Sequence, residues 1–326
     1  MRSVATPKPA AGPLDGSRIT SVRGAVARVL GSTSEFGRLF SGSILSPVWF
    51  RGQASHRWPL EPGIFRRGRN GVYRFDEYQM LGEMRLMRPL EAQTYPTTFD
   101  WLVMCQHYGL PTRLLDWTES ILIALLFAAE DDDVDGVLFV LKPWLLNSRT
   151  ALHRRKNLCL PTYPDAILRA DQSVCASLEE VVDRLKHTFG RTPFYGKYIE
   201  TLGGEKRIRE VANLPVAVYP PRNNARIVQQ SGMFTLHGGM VPSQSHRPDY
   251  GEHVSLESLR QELPDVLKRF VVPAATKPRI RSDLARLGIH HGALFPEFEA
   301  QARHLRDKWS RRDGPEPTLA ERGKLE

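Results

Sequence analysis

One segment, Cys105 to Glu130, constrains the fold of this chain more than any other. Residues 99–108 have the apolar spacing of a helix, and Gly109 is the residue type that commonly ends one, because glycine tolerates the left-handed backbone of a C-terminal cap. Pro111 blocks continuation of that helix. The following run, residues 121–129, is apolar on all sides, which predicts a helix buried on every face. The segment therefore predicts two helices and a core that encloses the second.

The residues between these helices are polar. Asp116 and Glu119 have the spacing of a capping box, with Asp in place of Ser or Thr, and predict that Asp116 caps the buried helix. The positive end of that helix would then lie beside Arg113 and Thr118, a favourable setting for an anion. We expect Arg51 and Arg113 to flank one cleft at this helix start.

The remaining pattern mixes strands and helices. Strands are predicted at 136–142 and 267–272, a strand entering a loop and returning at 46–62, and two short strands or a bulged hairpin around Gly232 at 224–237. Helices are predicted at 76–87, at 177–190 behind a capping box of Ser177 and Glu180, and at 276–288, where Thr276 is the cap and Ile280, Leu284 and Leu287 share a face. This mixture predicts an α+β domain with a central mixed or antiparallel sheet flanked by helices.

The two ends of the chain have a different character. Residues 1–42, interrupted by Gly, Ser and Pro around one short helical pattern, are predicted to be a peripheral and flexible segment. Residues 304–326 are predicted to be a charged, frayed tail. The single predicted domain is therefore 43–303.

Composition restricts the class of partner. The 326 residues are 41% hydrophobic and carry a net charge of +9. This charge favours a nucleotide or other anionic ligand, unless it reflects only a generally basic surface. It permits nucleic acid, although no long basic block supports that partner. The apolar run at 121–129 is too short to cross a bilayer, so no membrane partner is predicted. Three cysteines without CxxC spacing favour a reducing cytoplasm. No metal-ligand spacing, P-loop or GxGxxG element occurs, and no pattern specifies an oligomeric state.

Several motifs together resemble the FRG-domain family, named after a (Phe/Tyr)-Arg-Gly motif. They are WFRGQ at 49–53, QHYGLPTRLLDWT at 106–118, ALLFA at 124–128, RIVQQSGMFTLHG at 226–238 and KPRIRSDLARLGIHHGALFPEFE at 277–299. The resemblance spans 43–303 and implies a setting in bacterial stress response or phage defence. It implies no single activity.

The motif residues supply the candidates for a site, each with a structural alternative. The ligand-binding candidates are Arg51, Gly52, Tyr108, Thr112, Arg113, Thr118, Ser120 and Phe234. Arginine suits phosphate or carboxylate, unless Arg51 forms an internal salt bridge with Asp116 or Glu61. The hydroxyl groups suit ribose or phosphate, or else serve turns and caps. Tyr108 would stack on a base or nicotinamide ring, or pack in the core.

The catalytic candidates are His107, Asp116, Gln229 and Gln230. His107 would act as a general acid or base near neutral pH, or else pack through hydrogen bonds. Asp116 would act as a base, although the capping role is the preferred interpretation. The two glutamines, placed on a strand pattern, would hold a ribose hydroxyl or an amide, or pair at a sheet edge.

The order of the motifs is similar to the plan of ADP-ribosyltransferases, which implies NAD as the cofactor. In that plan Arg51 would hold phosphate, Thr118 or Ser120 would order the site, and Gln229 or Gln230 would occupy the late-strand position. The departure is that no glutamate occupies this late strand. Two other classes stay open: a non-catalytic sensor or interaction module for nucleotide, nucleic acid or protein, and a hydrolase or nuclease that uses Asp116, Glu119 and His107.

Overall fold

The computed structural model describes residues 18–30, 47–68, 70–91, 97–131, 133–150, 210–220, 222, 224–239 and 253–310. The helices in these ranges are α1 (Val22–Leu30), α2 (Glu77–Met87), α3 (Thr98–His107), α4 (Ile121–Ala128), α5 (Pro143–Thr150), α6 (Ala225–Gln229), α7 (Leu256–Glu262), α8 (Lys277–Arg286), α9 (His291–Leu294) and α10 (Phe298–Trp309). The strands are β1 (Trp49–Gln53), β2 (Leu114–Thr118), β3 (Gly136–Leu141), β4 (Val216–Val218), β5 (Gly232–Leu236) and β6 (Leu267–Val272). The predicted helix at 177–190 lies outside the described residues.

These strands form one antiparallel sheet in the order β4-β5-β2-β1-β3-β6. The predicted α+β class with a central sheet is confirmed. Along most of the sheet the registers are long, and β1 pairs with β3 over all five of its residues. Between β1 and β2 the only register pair is Phe50 with Thr118. The two strands therefore separate just beyond this pair, and the sheet opens near its centre.

One face of the sheet carries a single core cluster. Trp49, Leu115, Phe139 and Met233 point to this face, where they pack together with Leu146 of α5. Residues of α7 complete the cluster. Because this layer runs across both halves of the sheet, it holds the halves together despite the opening between β1 and β2.

The other face carries two separate clusters. Under α3, Leu114 and Phe234 pack with Leu102. Phe50 and Leu138 pack with residues of α4, α1 and α8 in the second cluster. The helices that cover this face are therefore divided into two groups, and the division lies over the central strands.

The helix α4 lies directly against β1. A Cβ atom added to Gly52 would come within 1.8 Å of the Ala124 carbonyl oxygen, and one added to Gly136 within 2.0 Å of the Ala128 carbonyl oxygen. The glycine of the Phe-Arg-Gly motif is thus required for close packing of helix on strand.

Several predicted elements are confirmed, namely α2, α3, α4, β3, β6 and the positive φ of 84° at Gly109. The prediction that Asp116 caps α4 is wrong. Asp116 lies in the middle of β2 and pairs with Phe234, and the cap is Ser120, whose side chain accepts a hydrogen bond from the Ile123 N–H. The chain stays extended through Thr118 because β2 is paired with β5 to its last residue.

Two further predictions need correction. Residues 224–237 form a helix and a strand, because Asn224 caps α6 by accepting from the Arg226 N–H at 2.8 Å. Gln229 and Gln230 therefore lie at the end of this helix, not on a strand. In the described part of the segment 46–62, residues 47–62, only β1 is a strand, and the return after it is irregular.

The helix α8 begins where predicted, but Thr276 makes no side-chain cap and instead donates to the Pro273 carbonyl oxygen. Ile280 and Leu284 are buried as predicted, whereas Leu287 is 60% exposed. Near the N-terminal end of the described chain, Ile19 and Val22 are buried against the core beside α4. None of the helices in the described ranges is both long and apolar enough to cross a membrane.

Candidate functional site

A pocket lies where the sheet opens, between α3 and α4. It is a cavity of about 380 Å³ whose floor is formed by β1, β2 and β5 and whose walls include Val103 of α3 and Phe127 of α4. Trp58 and Phe295 add aromatic surface. The divided helix layer thus leaves the centre of the sheet accessible.

Arg51 reaches across the opening between β1 and β2. Its Nη1 atom donates to the Asp116 carbonyl oxygen at 2.7 Å and lies 3.6 Å from the Asp116 Oδ2 atom. The side chain of Arg51 is 15% exposed and that of Asp116 is 55% exposed. Burial lowers the pKa of Arg51, but a guanidinium stays charged at neutral pH. Its Nε atom is buried without a hydrogen-bond partner, so the guanidinium keeps unused capacity.

The carboxylate of Asp116 is oriented by a chain of side chains. The Leu114 N–H donates to Thr112 Oγ1 at 3.2 Å, and Thr112 Oγ1 donates to Gln106 Oε1 at 2.7 Å. This fixes the amide of Gln106, whose Nε2 atom donates to both Asp116 oxygens at 3.3 and 3.1 Å. Asp116 is therefore presented as an acceptor, held from one side and open to solvent on the other.

Thr118 and Gln230 close the opposite end of the pocket. Thr118 Oγ1 donates to the Gln230 carbonyl oxygen at 2.7 Å and accepts from the Ser120 N–H at 3.0 Å. The Gln230 side chain donates to the Leu294 carbonyl oxygen at 3.2 Å. Both side chains are thus engaged in holding the elements around the pocket.

Three arginines surround the cavity: Arg51, Arg66 and Arg226. The Arg66 Nε atom donates only to a backbone oxygen, that of Glu61, at 3.1 Å. Arg226 lies over the Phe295 ring at 4.4 Å and donates to the His107 carbonyl oxygen at 3.4 Å. Within the described residues neither Arg66 nor Arg226 forms an ion pair with a carboxylate. The pocket therefore offers positive charge that the protein leaves available.

His107 lines the pocket, and its imidazole ring is neutral. Burial, with the nearby charge of Arg226, lowers its pKa, so the imidazole is uncharged at neutral pH. Its Nδ1 atom is buried without a hydrogen-bond partner. A neutral imidazole can both donate and accept one hydrogen bond.

Arg113 has a different role from the one predicted. It is fully buried, its Nε and Nη2 atoms each lie 2.7 Å from Glu77 Oε2, and its backbone N–H donates to Glu77 Oε1 at 2.9 Å. Arg113 does not line the pocket. The expectation that Arg51 and Arg113 flank one cleft is therefore wrong, because Glu77 of α2 holds the second guanidinium inside the core.

Residues 46–136 match the family model of the FRG domain. This part of the chain is an FRG domain. The matched region begins just before β1 and ends at the first residue of β3, so it contains Arg51, the Gln106 to Asp116 chain and both helices beside the pocket. Comparison of the chain with curated proteins and with solved structures gives no match.

Of the residues singled out in the sequence, seven line the pocket: Arg51, Gly52, His107, Asp116, Thr118, Gln230 and Phe234. The other five do not: Tyr108, Thr112, Arg113, Ser120 and Gln229. Tyr108 is 72% exposed outside this pocket, with its ring edge against His107. Thr112 acts on the pocket indirectly, through Gln106.

Several pocket residues are absent from the sequence candidates, among them Trp58, Arg66, Gln106, Arg226 and Phe295. Two of these bear most on the site. Gln106 directly precedes His107 in the central motif, and its role depends on the fold that brings it beside Asp116. Arg226 begins the RIVQQSG motif, for which the sequence pattern predicts a strand. In the structure Arg226 lies on the helix α6 and lines the pocket. Within the described ranges no group of three His, Cys, Asp or Glu residues has the arrangement of a metal site.

Proposed function

We propose that this pocket binds a phosphate-bearing nucleotide and that the FRG domain uses it in a reaction of the ADP-ribosyltransferase or glycohydrolase type, with NAD as the nucleotide. The observation that carries the proposal is the set of arginines around a cavity that also holds a solvent-facing carboxylate, Asp116, oriented by Gln106. The second acidic residue of the lining, Glu130, lies 3.2 Å from His291 Nε2. Arginine forks match phosphate oxygens, and aromatic walls such as Trp58 match a base or nicotinamide ring.

The chemistry follows from the position of Asp116. A carboxylate beside the ribose would accept a hydrogen bond from a ribose hydroxyl and stabilise the positive charge that develops on the sugar as the bond to nicotinamide breaks. Nicotinamide leaves with the bonding electron pair, and water or an acceptor hydroxyl then forms the new bond to the sugar carbon and releases its proton to solvent. In this scheme Asp116 supplies the acidic group that the late strand lacks, and Gln106 holds it in place.

Binding is tested by calorimetric titration with AMP and NAD. Arg226→Gln removes a pocket guanidinium that forms no ion pair among the described residues, and we expect the affinity for both ligands to fall about tenfold or more, since hydrogen bonds to charged groups are worth roughly 1.5–3 kcal/mol. Arg279→Gln is the matched control, because Arg279 is 78% exposed on α8 and does not line the pocket. Equal affinity in wild type and Arg226→Gln would contradict the proposed site.

The reaction is tested separately by the release of nicotinamide from NAD. The proposal predicts release by the wild-type protein and its loss in Asp116→Asn, which keeps the shape of the side chain and removes its charge.

A second function, nucleotide binding without chemistry, is favoured by the engagement of both Asp116 oxygens with Gln106. Nucleotide binding with no nicotinamide release would select that second function. We place the activity in bacterial stress response or phage defence on the family resemblance alone.

A further inference from the structure

A second cavity adjoins the pocket on the side of α8, α9 and α10. Its volume is about 860 Å³, and we call it the groove. Three residues line both cavities: His107, Arg226 and Phe295. The pocket and the groove are therefore neighbouring spaces that share one wall.

The groove is rich in ring surfaces. The rings of His290 and His304 stack with centroids 4.2 Å apart and planes 8° from parallel. His291 and Phe295 stack at 5.5 Å and 19°. Tyr108, which is 72% exposed, also lines the groove. Such rings offer flat faces on which a nucleobase can stack.

The groove also has polar atoms without partners. Nδ1 of His107, Nδ1 of His290 and Oε2 of Glu297 are buried and make no hydrogen bond. Buried polar atoms in folded proteins are nearly always bonded, so these three atoms are candidates for hydrogen bonds to a bound molecule or to ordered water. Burial lowers the pKa of His107 and of His290, and a neutral imidazole suits base edges and sugar hydroxyls better than phosphate.

The shared wall of the two cavities carries the guanidinium of Arg226. In the groove, Arg303 is paired with Glu299 at 3.3 Å, and Arg281 donates to the Ala129 carbonyl oxygen. Arg226, in contrast, has only the Phe295 ring and a backbone oxygen as partners among the described residues. A ligand that occupies both cavities would pass this guanidinium, so its middle should carry negative charge.

We infer that the pocket and the groove form one site for a dinucleotide, with one nucleoside in the pocket, the diphosphate at Arg226 and the second nucleoside in the groove. This inference rests on the proposed nucleotide site and adds to it where the second half of the ligand binds. It requires that a dinucleotide bind more tightly than the mononucleotide from which it is built.

The test compares AMP with diadenosine diphosphate by calorimetric titration. This dinucleotide has two identical nucleosides and no nicotinamide leaving group, so its gain over AMP measures the second half of the site without turnover. Ala285→Trp on α8 and Ala300→Trp on α10 each fill the groove from one wall. Ala302→Trp is the matched control, an exposed alanine on α10 outside both cavities.

We expect the wild-type protein and Ala302→Trp to bind the dinucleotide at least about tenfold more tightly than AMP, a difference that calorimetry resolves easily. Either groove-filling variant that retains its melting temperature should lose this preference while its AMP affinity stays within about twofold. A dinucleotide that binds no better than AMP to the wild-type protein, or an unchanged preference in the filled variants, overturns the inference and leaves the nucleotide site standing. Absence of all nucleotide binding overturns both.

Discussion

Arg51 and Arg113 each meet a carboxylate, but in opposite surroundings. The Arg113 and Glu77 side chains are 0% and 1% exposed and joined by short contacts. Arg51 is 3.6 Å from a carboxylate oxygen of Asp116, which is 55% exposed, and has an Nε atom without a partner. An arginine and a carboxylate thus have different roles in the two regions. A pair sealed in the core holds the fold, whereas a pair at an open sheet leaves charge available for a ligand.

The sealed pair should give the largest loss of stability. Glu77→Gln leaves the Arg113 guanidinium buried without its counter-charge, and we expect the free energy of unfolding to fall by about 3–5 kcal/mol. Urea denaturation measures this loss. Glu83→Gln, an exposed change on the same helix α2, should cost less than about 0.5 kcal/mol. Equal effects of the two substitutions would remove the distinction between the sealed and the open pair.

The chain of side chains behind the open pair should give a smaller loss. Thr112→Val deprives the Gln106 carbonyl oxygen of its donor and the Leu114 N–H of its acceptor, at a cost of about 1–3 kcal/mol. Thr112→Ser keeps the hydroxyl and serves as the matched control. Because Gln106 would then be free to rotate, we also expect nicotinamide release to fall in Thr112→Val and to remain in Thr112→Ser. Equal release in both variants would show that Thr112 does not act through Gln106.

His237, which is affected by the charges of both arginines, should make stability depend on pH. Burial, with His253, Arg113 and Arg51 nearby, lowers the pKa of His237 well below its usual 6.5. The unfolded chain therefore takes up this proton first, so the stability contributed by neutral His237 is complete above pH 6.5. It decreases as the pH falls below that value, by at most about 1.4 kcal/mol per pH unit.

Urea denaturation between pH 7.5 and 5 compares the wild-type protein with His237→Gln, and the difference between their slopes isolates this residue, since other histidines contribute to the total. A steeper dependence in the wild type is the expected outcome. Identical slopes would show that His237 gains its proton as readily in the folded protein as in the unfolded chain.

The open pair itself should contribute least to stability. Asp116→Asn is the same carboxylate-to-amide change as Glu77→Gln, but at an exposed position, and we expect it to cost less than about 1 kcal/mol. Urea denaturation of the two variants side by side is a direct contrast between the regions. A loss for Asp116→Asn as large as that for Glu77→Gln would assign Asp116 to the fold and not to the site.

Much of this architecture could be predicted because apolar periodicity reports burial. The apolar run at α4 predicts a buried helix, and the apolar runs at β3 and β6 predict strands. The predicted bounds of all three elements agree with the structure nearly to the residue. Around Asp116 the local sequence is compatible with two positions for the N-terminal cap of α4. Asp116 and Ser120 are both good capping residues, and only the pairing of β2 with β5 decides between them.

The site was harder to predict because it depends on contacts distant in sequence. Arg51 and Asp116 are recognisable in the sequence as polar residues within motifs. Their contact across the opening between β1 and β2 depends on how the strands of the sheet pair, which the local sequence does not specify. Arg113, like Arg51, is an arginine within a motif, so the sequence does not distinguish their roles. The difference is that Arg113 is paired with the buried Glu77 in the folded protein. Arg226 comes from a helix that the strand interpretation of its motif concealed.

Calorimetric titration of AMP into the wild-type protein and Arg51→Lys, at one salt concentration, tests the central claim most directly. Lysine keeps the charge but loses the fork that binds two oxygens at once, so we expect the affinity to fall about tenfold while the free energy of unfolding changes by less than about 1 kcal/mol. Equal affinity in the two proteins would remove Arg51 from the nucleotide site and contradict the claim that the open pair holds charge in reserve for a ligand.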